Sequence, residues 1–325
     1  MPAFLAIDLG ATNMRAAVVE GPKVLARVST PTRAWEGPSA VVRRMVDLTR
    51  DLALSHPVPV AALGIAAPGP LDPVRGLIFK APNMPDFQEE PVAEVLSEAL
   101  GLRTFLINDA DAAALAEHRY GAGRRRRHML YLTISTGIGG GIVVHGQLVR
   151  PDIGMAGEVG HIVVDVNGDR CGCGRQGCLE AMASGRAIAQ RARSLIDNGV
   201  PTLLAQMEAE QGTHVSAETV VAAAQQGDAI AIGILNRAAF YLGVGLVSLL
   251  HVLNPDVVVL GGGVMAAGDL ILEPARAEIH RRALHERYAH IPIERAKLGD
   301  DAGLIGAGLW AGRCLSKGAK KLAAE

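Results

Sequence analysis

Residues 4–19, FLAIDLGATNMRAAVV, read as an apolar strand that ends in an acid and a glycine, bends through Gly10, Thr12 and Asn13, and resumes as strand from Arg15. A tight strand-turn-strand of this kind aims backbone N–H groups and a hydroxyl into one small space, which is how chains hold phosphate. Asp8 is ill placed against a bare phosphate, and makes sense where Mg²⁺ lies between the two, directly or through water. A single turn of this type is also what an ordinary hairpin looks like. Residues 130–144, LYLTISTGIGGGIVV, repeat the device, with Thr136, Gly137, Gly139, Gly140 and Gly141 at the bend and 142–144 as the return strand. Two copies predict an α/β, internally duplicated fold of two lobes. Each lobe opens on a phosphate-facing hairpin, and the lobes face each other across a cleft.

Composition agrees with such an enzyme. Of 325 residues, 49% are apolar, 3% are aromatic and 38 are glycine, which suits aliphatic cores and ligand loops lined by backbone. A net charge of -1 gives no global attraction to nucleic acid or to an anionic membrane. Asp8 interrupts the first apolar run, so no signal peptide is expected and the chain reads as cytoplasmic, where cysteines serve metals more often than disulfides. The apolar stretch 238–253 contains Ser248 and His251 and stops at Asn254-Pro255-Asp256. It is short of a membrane span and predicts a buried helix. Arg124 to Arg127 form a basic run without interleaved aromatics, and predict a solvated loop.

Between the hairpins, residues 39–56 have Val42, Met45, Val46 and Leu52 on one helical face, and 60–66 form a buried strand closed by PGPLDP. Gly69 in that turn can bring backbone close to a ligand, and Asn83 in the loop 80–87 offers a polyol both a donor and an acceptor. Strand 104–107 delivers NDAD, residues 108–111. A carboxylate at the carboxyl end of a buried strand is where open α/β sheets put their chemistry. That favours Asp109 as a base, with Asp111 as a cap for a helix over 112–120. Later segments predict helices over 181–196, 215–226 and 229–253, the last with candidate kinks at Gly243 and Gly245. Strand 257–260 follows and delivers Gly261, Gly262 and Gly263, where a base or phosphate can rest on the backbone. The chain closes with helix 304–315 and a frayed tail.

The stretch 154–180, GMAGEVGHIVVDVNGDRCGCGRQGCLE, gathers three of the four cysteines. Cys171, Cys173 and Cys178 with His161 are the donor set of a tetrahedral structural zinc. Three free cysteines in a glycine-rich loop are the alternative. Glu158 and Glu180 bracket the loop, so a folded metal site would fix both carboxylates. His161 can serve twice, one ring nitrogen for the metal and the other for a ligand. Cys314, in an apolar C-terminal segment, reads as core.

Together, DLGATNMR from residue 8, NDADAAALAE from 108, STGIGGGIV from 135, EVGH from 158 and CGCGRQGCLE from 171 resemble the ROK family of bacterial sugar kinases and repressors, and most of all its glucokinases. The resemblance covers nearly the whole chain. It implies the duplicated two-lobe actin-like (ribonuclease H-like) ATPase fold, with a smaller lobe over 1–120 completed by a C-terminal helix 303–325. The larger lobe, 121–302, would carry the zinc loop and a dimerisation surface. It implies ATP-dependent phosphorylation of the glucose 6-hydroxyl, with Asp109 as the base. Gly69, Asn83, Asn108, Glu158, His161 and Glu180 would surround the sugar. Asp8, Gly10, Thr12, Asn13, Arg15, Thr136, Gly137, Gly139 and Gly261 to Gly263 would hold ATP and Mg²⁺. Homodimers or higher homo-oligomers, with no nucleic-acid or membrane partner, are implied as well. The family's repressors carry a winged-helix segment ahead of the first hairpin, for which a hairpin starting at Asp8 leaves no room. Other hexoses or N-acylhexosamines, such as N-acetylmannosamine, N-acetylglucosamine, mannose and fructose, stay open as substrates. So do polyphosphate as donor, with the arginine run as its support, and a non-catalytic sugar sensor.

Overall fold

A computed structural model describes residues 2–79, 86–149, 156–212 and 214–322; Asn83 lies outside them. In chain order the elements are β1 (Ala3–Leu9), β2 (Asn13–Glu20), β3 (Lys23–Pro31), α1 (Pro38–Ser55), β4 (Val60–Ala67), β5 (Leu71–Asp72), β6 (Leu77–Ile78), α2 (Val92–Leu100), β7 (Thr104–Asn108) and α3 (Asp109–Tyr120). There follow β8 (Met129–Ile134), β9 (Ile138–Val144), β10 (Gln147–Leu148), α4 (Leu179–Ala183), α5 (Gly185–Asp197), α6 (Leu203–Gln211), α7 (Ala217–Gln225) and α8 (Ala229–Leu253). The chain ends with β11 (Val257–Gly261), α9 (Asp269–Arg282), α10 (Glu286–Ala289), β12 (Ile293–Arg295) and α11 (Ala302–Leu322).

The duplication expected from the two hairpins is present in the sheets. The first has the order β3-β2-β1-β4-β7 and the second β10-β9-β8-β11-β12, so each begins with two meandering strands beside its first strand and continues by crossovers. β1 to β3 pair antiparallel, whereas β4 and β7 run parallel to β1, as β11 does to β8 and β12 to β11. Strands buried on both faces read as continuous apolar runs. β4 and β11 show this: Ala62 to Ala67 and Val257 to Leu260 are all buried.

On one face of the first sheet, Leu5, Ile7 and Ile65 pack with Val42, Met45, Val46 and Leu52 of α1, the four residues expected on its inner face. On the other, Ala6, Ala66 and Ile107 pack with Ala112 and Leu115 of α3 and Leu304 and Ala307 of α11. Small residues permit this close approach. A Cβ on Gly64 of β4 would stand 2.0 Å from the Ala307 carbonyl oxygen of α11, and one on Gly306 1.9 Å from that of Ala112 in α3.

The chain forms two compact units, residues 1–127 with 141–157 and 297–325, and residues 128–140 with 158–296. These bounds stand beside the expected division at 120 and 303, and the first unit holds more residues than the second. The reason is side-chain chemistry. The buried Glu117 carboxylate accepts the N–H groups of Lys297 and Leu298 at 2.8 and 2.7 Å, and draws that segment into the first unit. Gly141 belongs with it because it lies against α3, where an added Cβ would be 2.4 Å from Ala114 Cβ.

Other boundaries also move. Gly139 to Gly141 lie inside β9 instead of in a bend. The helix expected over 181–196 is two, because Ser184 leaves α4 and caps α5 by accepting the Ala187 N–H. Helix α11 runs to Leu322, past the expected end at 315. Capped by Asp228, α8 has the bounds expected for it, 229–253, and is long and apolar enough by length and composition to cross a membrane. Yet 56% of its apolar window is buried, as expected of a core helix. It is one uninterrupted helix, and its glycines serve packing: Gly243 admits α9 at Glu278 and Ala275, and Gly245 admits Leu179 of α4. Arg124 to Arg127 are exposed, as a solvated loop requires.

The packing of α11 makes a measurable demand. Gly64→Ala, which sets a methyl against backbone, is expected to destabilise by about 1–3 kcal/mol or more. Gly233→Ala in α8, where nothing lies within 4 Å, is expected to be neutral or to gain about 0.5–1 kcal/mol. Thermal melts of both variants check the contrast, and equal melting temperatures would contradict the close approach.

Candidate active site

In the first hairpin, Gly10 donates its N–H to the Asn13 carbonyl at 3.0 Å, and a Cβ there would stand 2.7 Å from that oxygen, so glycine is required. Thr32, fully buried at the end of β3, clamps the bend by donating its hydroxyl to Gly10 O at 2.6 Å and its N–H to Thr12 O at 2.8 Å. Thr12 and Asn13 are left exposed at the tip. Asp8 and Arg15, opposite each other in the β1–β2 register, form an ion pair. Gly303, near the start of α11, lets that helix approach, since a Cβ would be 3.1 Å from the Asp8 carboxylate. Arg15 therefore holds Asp8. Gly69 lies between β4 and β5, preceding Pro70.

At the end of β7 the roles within NDAD differ from the expectation. Asn108, not Asp111, is the cap: its Oδ1 accepts the N–H groups of Ala110 and Asp111 at 3.0 and 3.2 Å. Consequently α3 begins at Asp109, and Asp111 turns inward and is buried. The capping bonds orient the Asn108 amide so that its Nδ2 points away from those donors. Asp109, half-buried, occupies the first turn of α3, where the helix dipole favours negative charge, and its Oδ1 accepts the Ala110 N–H at 2.7 Å.

In the second unit the cysteine stretch folds as a tight loop. Val163 bridges Cys178 and Arg170 bridges Gln176, while Gly177 admits the Asp165 carbonyl, which would be 1.6 Å from an added Cβ. Tyr241 of α8 donates its hydroxyl to Asp165 at 2.8 Å and anchors the loop. One ligand atom each from His161, Cys171, Cys173 and Cys178 lies within 4.8 Å of the others. A tetrahedral zinc with Zn–S bonds of about 2.3 Å needs sulfurs roughly 3.8 Å apart. Cys173 and Cys178 have their sulfurs 3.8 Å apart, and Cys171 Sγ is 3.7 Å from His161 Nδ1. The residues fit the metal. Burial, with the neighbouring sulfurs and Glu180, pushes the Cys171 thiol up to about 12, which is the crowding a divalent cation relieves.

His161 divides its ring as its two expected roles require. Nδ1 faces the sulfurs, and Nε2 lies 3.9 Å from Glu158 Oε2. Glu158 keeps 48% of its side-chain surface, and its pKa is raised, by desolvation first and by the charge of Glu180. Glu180, on α4, reaches between loop and hairpin. Its Oε1 is 3.7 Å from Cys171 Sγ, and its Oε2 accepts the Ile138 N–H of β9 at 2.9 Å. Gly137 leaves room for it, as a Cβ would be 2.4 Å from Oε2. Thr136 is exposed beside this contact, and Gly139 follows within β9. A cavity of about 210 Å³ is lined by Thr136, Arg170, Cys171, Glu180 and Arg186, so the Glu180 carboxylate and the second hairpin share one space with two arginines.

The glycine triplet is less uniform than its sequence. Gly261 is buried, with an added Cβ 2.7 Å from the Tyr131 hydroxyl, and Gly262 adopts φ +90° against Ile134 O. Gly262 and Gly263 are both exposed, but of the three only Gly263 has room for a side chain, an added Cβ standing 3.8 Å from Glu218. Thr32, Ser184 and Glu117 were missed in the sequence. A cap or clamp is recognisable only once its partner is located, and no local spacing reports that.

The ROK family model matches residues 4–313. The glucokinase of Thermotoga maritima is 34% identical, over 94% of this chain and 95% of that protein. An N-acetylmannosamine kinase of Yersinia pseudotuberculosis is also 34% identical, over 94% of this chain and 97% of that protein. Among solved structures, a ROK family glucokinase from Streptomyces griseus in complex with glucose and AMPPNP is 33% identical, with a TM-score of 0.85, over 96% of this chain and 99% of that one.

The donor geometry sets the test for the metal. Purified protein is expected to hold about one zinc per chain, and chelation is expected to lower both the melting temperature and sugar affinity, because His161 and Glu180 lean on the loop. Metal-free protein with an unchanged melt and unchanged activity would remove zinc from the account.

Proposed function

The chain belongs to the ROK family, and we propose that it is a sugar kinase that transfers the terminal phosphoryl group of ATP to the 6-hydroxyl of glucose. The observation that carries this reading is Asp109, a carboxylate at the carboxyl end of a parallel strand and in the first turn of α3, beside an asparagine oriented by its own capping bonds. The likeness to the Streptomyces griseus glucokinase, in complex with glucose and AMPPNP, supports both substrates.

Phosphoryl transfer asks the protein for positioning and charge neutralisation more than for covalent chemistry. In the proposal, Asp109 accepts the proton of the sugar hydroxyl as it attacks, and the Asn108 amide donates to a neighbouring hydroxyl. Glu158, His161 Nε2 and Glu180 hold the remaining ring hydroxyls, with Gly69 and Asn83 as further sugar contacts. The exposed tips of the two hairpins, Gly10 with Thr12 and Asn13, and Thr136 with Gly137 and Gly139, cradle the phosphates; the turn at Gly261 to Gly263 receives the rest of the nucleotide. Mg²⁺ would neutralise phosphate charge. Asp8, already engaged by Arg15, is suited to reach it through water. A zinc held by Cys171, Cys173, Cys178 and His161 would keep His161 and Glu180 in place and would take no part in the transfer.

A second reading, phosphorylation of N-acetylmannosamine, is supported by the equally similar Yersinia kinase. A coupled ADP-release assay over hexoses and N-acylhexosamines, repeated with polyphosphate as donor, separates the readings. Within it, Asp109→Asn is expected to lower turnover by at least ~10² while directly measured sugar binding changes far less. If that variant turned over normally and Asp111→Asn did not, the base would be the wrong member of the pair.

The proposal includes a cytoplasmic homodimer or larger homo-oligomer. Val252 and Leu284, 80% and 83% exposed in the second unit, support an assembly surface there. Sedimentation at micromolar concentration is expected to give at least twice the chain mass, and a clean monomer would refute it.

A further inference from the structure

Glu117 is a fully buried acid with no part in the chemistry above. It lies on α3, which begins at Asp109, and five backbone N–H groups converge on it. Its Oε1 accepts from Lys297 and Leu298 at 2.8 and 2.7 Å, and its Oε2 from Ala122 at 2.8 Å. Its carbonyl accepts from Gly121 and Gly123 at 2.9 and 3.1 Å. Gly121 has no room for a side chain, as a Cβ would be 1.9 Å from Oε2.

The positions of these donors in the chain give the arrangement its meaning. The chain leaves the first unit after Arg127 and returns to it at Lys297. Glu117 therefore binds both the outgoing segment, through 121–123, and the returning one, through 297–298. A third crossing, at Gly141, lies against the same helix at Ala110 and Ala114. A carboxylate is the fitting group, because it offers acceptors only and every partner is a donor.

We propose that Glu117 is a positioning residue for phosphoryl transfer: by fixing the outgoing and returning segments to α3, it holds the helix that carries Asp109 in the register the reaction needs. The inference rests on the kinase reading. Only residues 121–128 lie between the helix that starts at the base and β8, which leads to the second phosphate hairpin. Slack in that connection would misplace the base without touching any group that binds sugar, and misplacement of about 1 Å costs on the order of 10²-fold in rate.

Glu117→Gln keeps the shape but turns an NH₂ group toward at least one N–H donor. Glu117→Asp keeps the charge but falls one methylene short, and serves where the amide does not fold. For either folded variant, kcat is expected to drop at least ~10-fold while the sugar dissociation constant stays within about twofold. Amide hydrogen exchange is expected to accelerate at Ala122, Lys297 and Leu298 together. Faster exchange with unchanged kcat would overturn the proposal, as would a fall in kcat matched by an equal loss of sugar binding, which marks a merely structural role. Unaltered exchange would show that the carboxylate does not hold the segments. If the unaltered protein phosphorylated no sugar, the kinase reading would fail instead, and the exchange measurement would still decide whether Glu117 anchors both connections.

Discussion

The Oε2 of Glu180 accepts the Ile138 N–H at 2.9 Å, while the Oε1 of the same group lies 3.7 Å from Cys171 Sγ. Three parts of the second unit meet at this carboxylate: the second glycine-rich hairpin, the cysteine loop and α4. Each has adapted to it. Gly137 gives up a side chain, and Cys178 occupies the N-cap position of α4, so that Glu180 follows a candidate metal ligand by two positions. The loop is held in turn by the Tyr241 hydroxyl from α8. A zinc in the loop would thus act through rigidity on the sugar contacts proposed above, since the Glu180 carboxylate and the His161 imidazole lie against groups that would hold the metal.

In the first unit the comparable constraint is close approach of backbones. Gly64, Gly303 and Gly306 each stand where a Cβ would meet α11, Asp8 or α3. With only 3% aromatic residues in the chain, the core is built from small and branched aliphatic side chains, and thin layers allow α3 and α11 to lie tightly on the sheet. Dense packing transmits displacement instead of absorbing it. A helix so tightly held gives Asp109, in its first turn, a fixed position.

Much of this was legible because it is local. The two hairpins announce themselves within sixteen or fewer residues each through apolar strands broken by glycine, threonine and asparagine, and the matching sheet orders confirm that they begin two copies of one topology. The metal ligands, His161 to Cys178, lie in one short loop, so their spacing alone carries the donor set. The inner face of α1 follows from its period. Errors appeared where two local readings competed. NDAD contains three residues able to cap a helix, and the capping bond of Asn108 decided among them. The run Gly139 to Gly141 suggested a bend, but it is strand, and at Gly141 the missing side chain makes way for α3.

The sequence by itself determined the fold class, the family and the chemical types at the site, because each is written in short motifs whose backbone conformation is set by their own residues. The tertiary structure alone decided that Nδ1 of His161 faces the sulfurs, that Arg15 holds Asp8, and that Glu117 joins residues 121–123 to 297–298. Those features depend on groups brought together from distant parts of the chain. A hydrogen bond between residues 117 and 298 has no counterpart in any local pattern, and exists only after the chain has returned to the first unit and packed against α3.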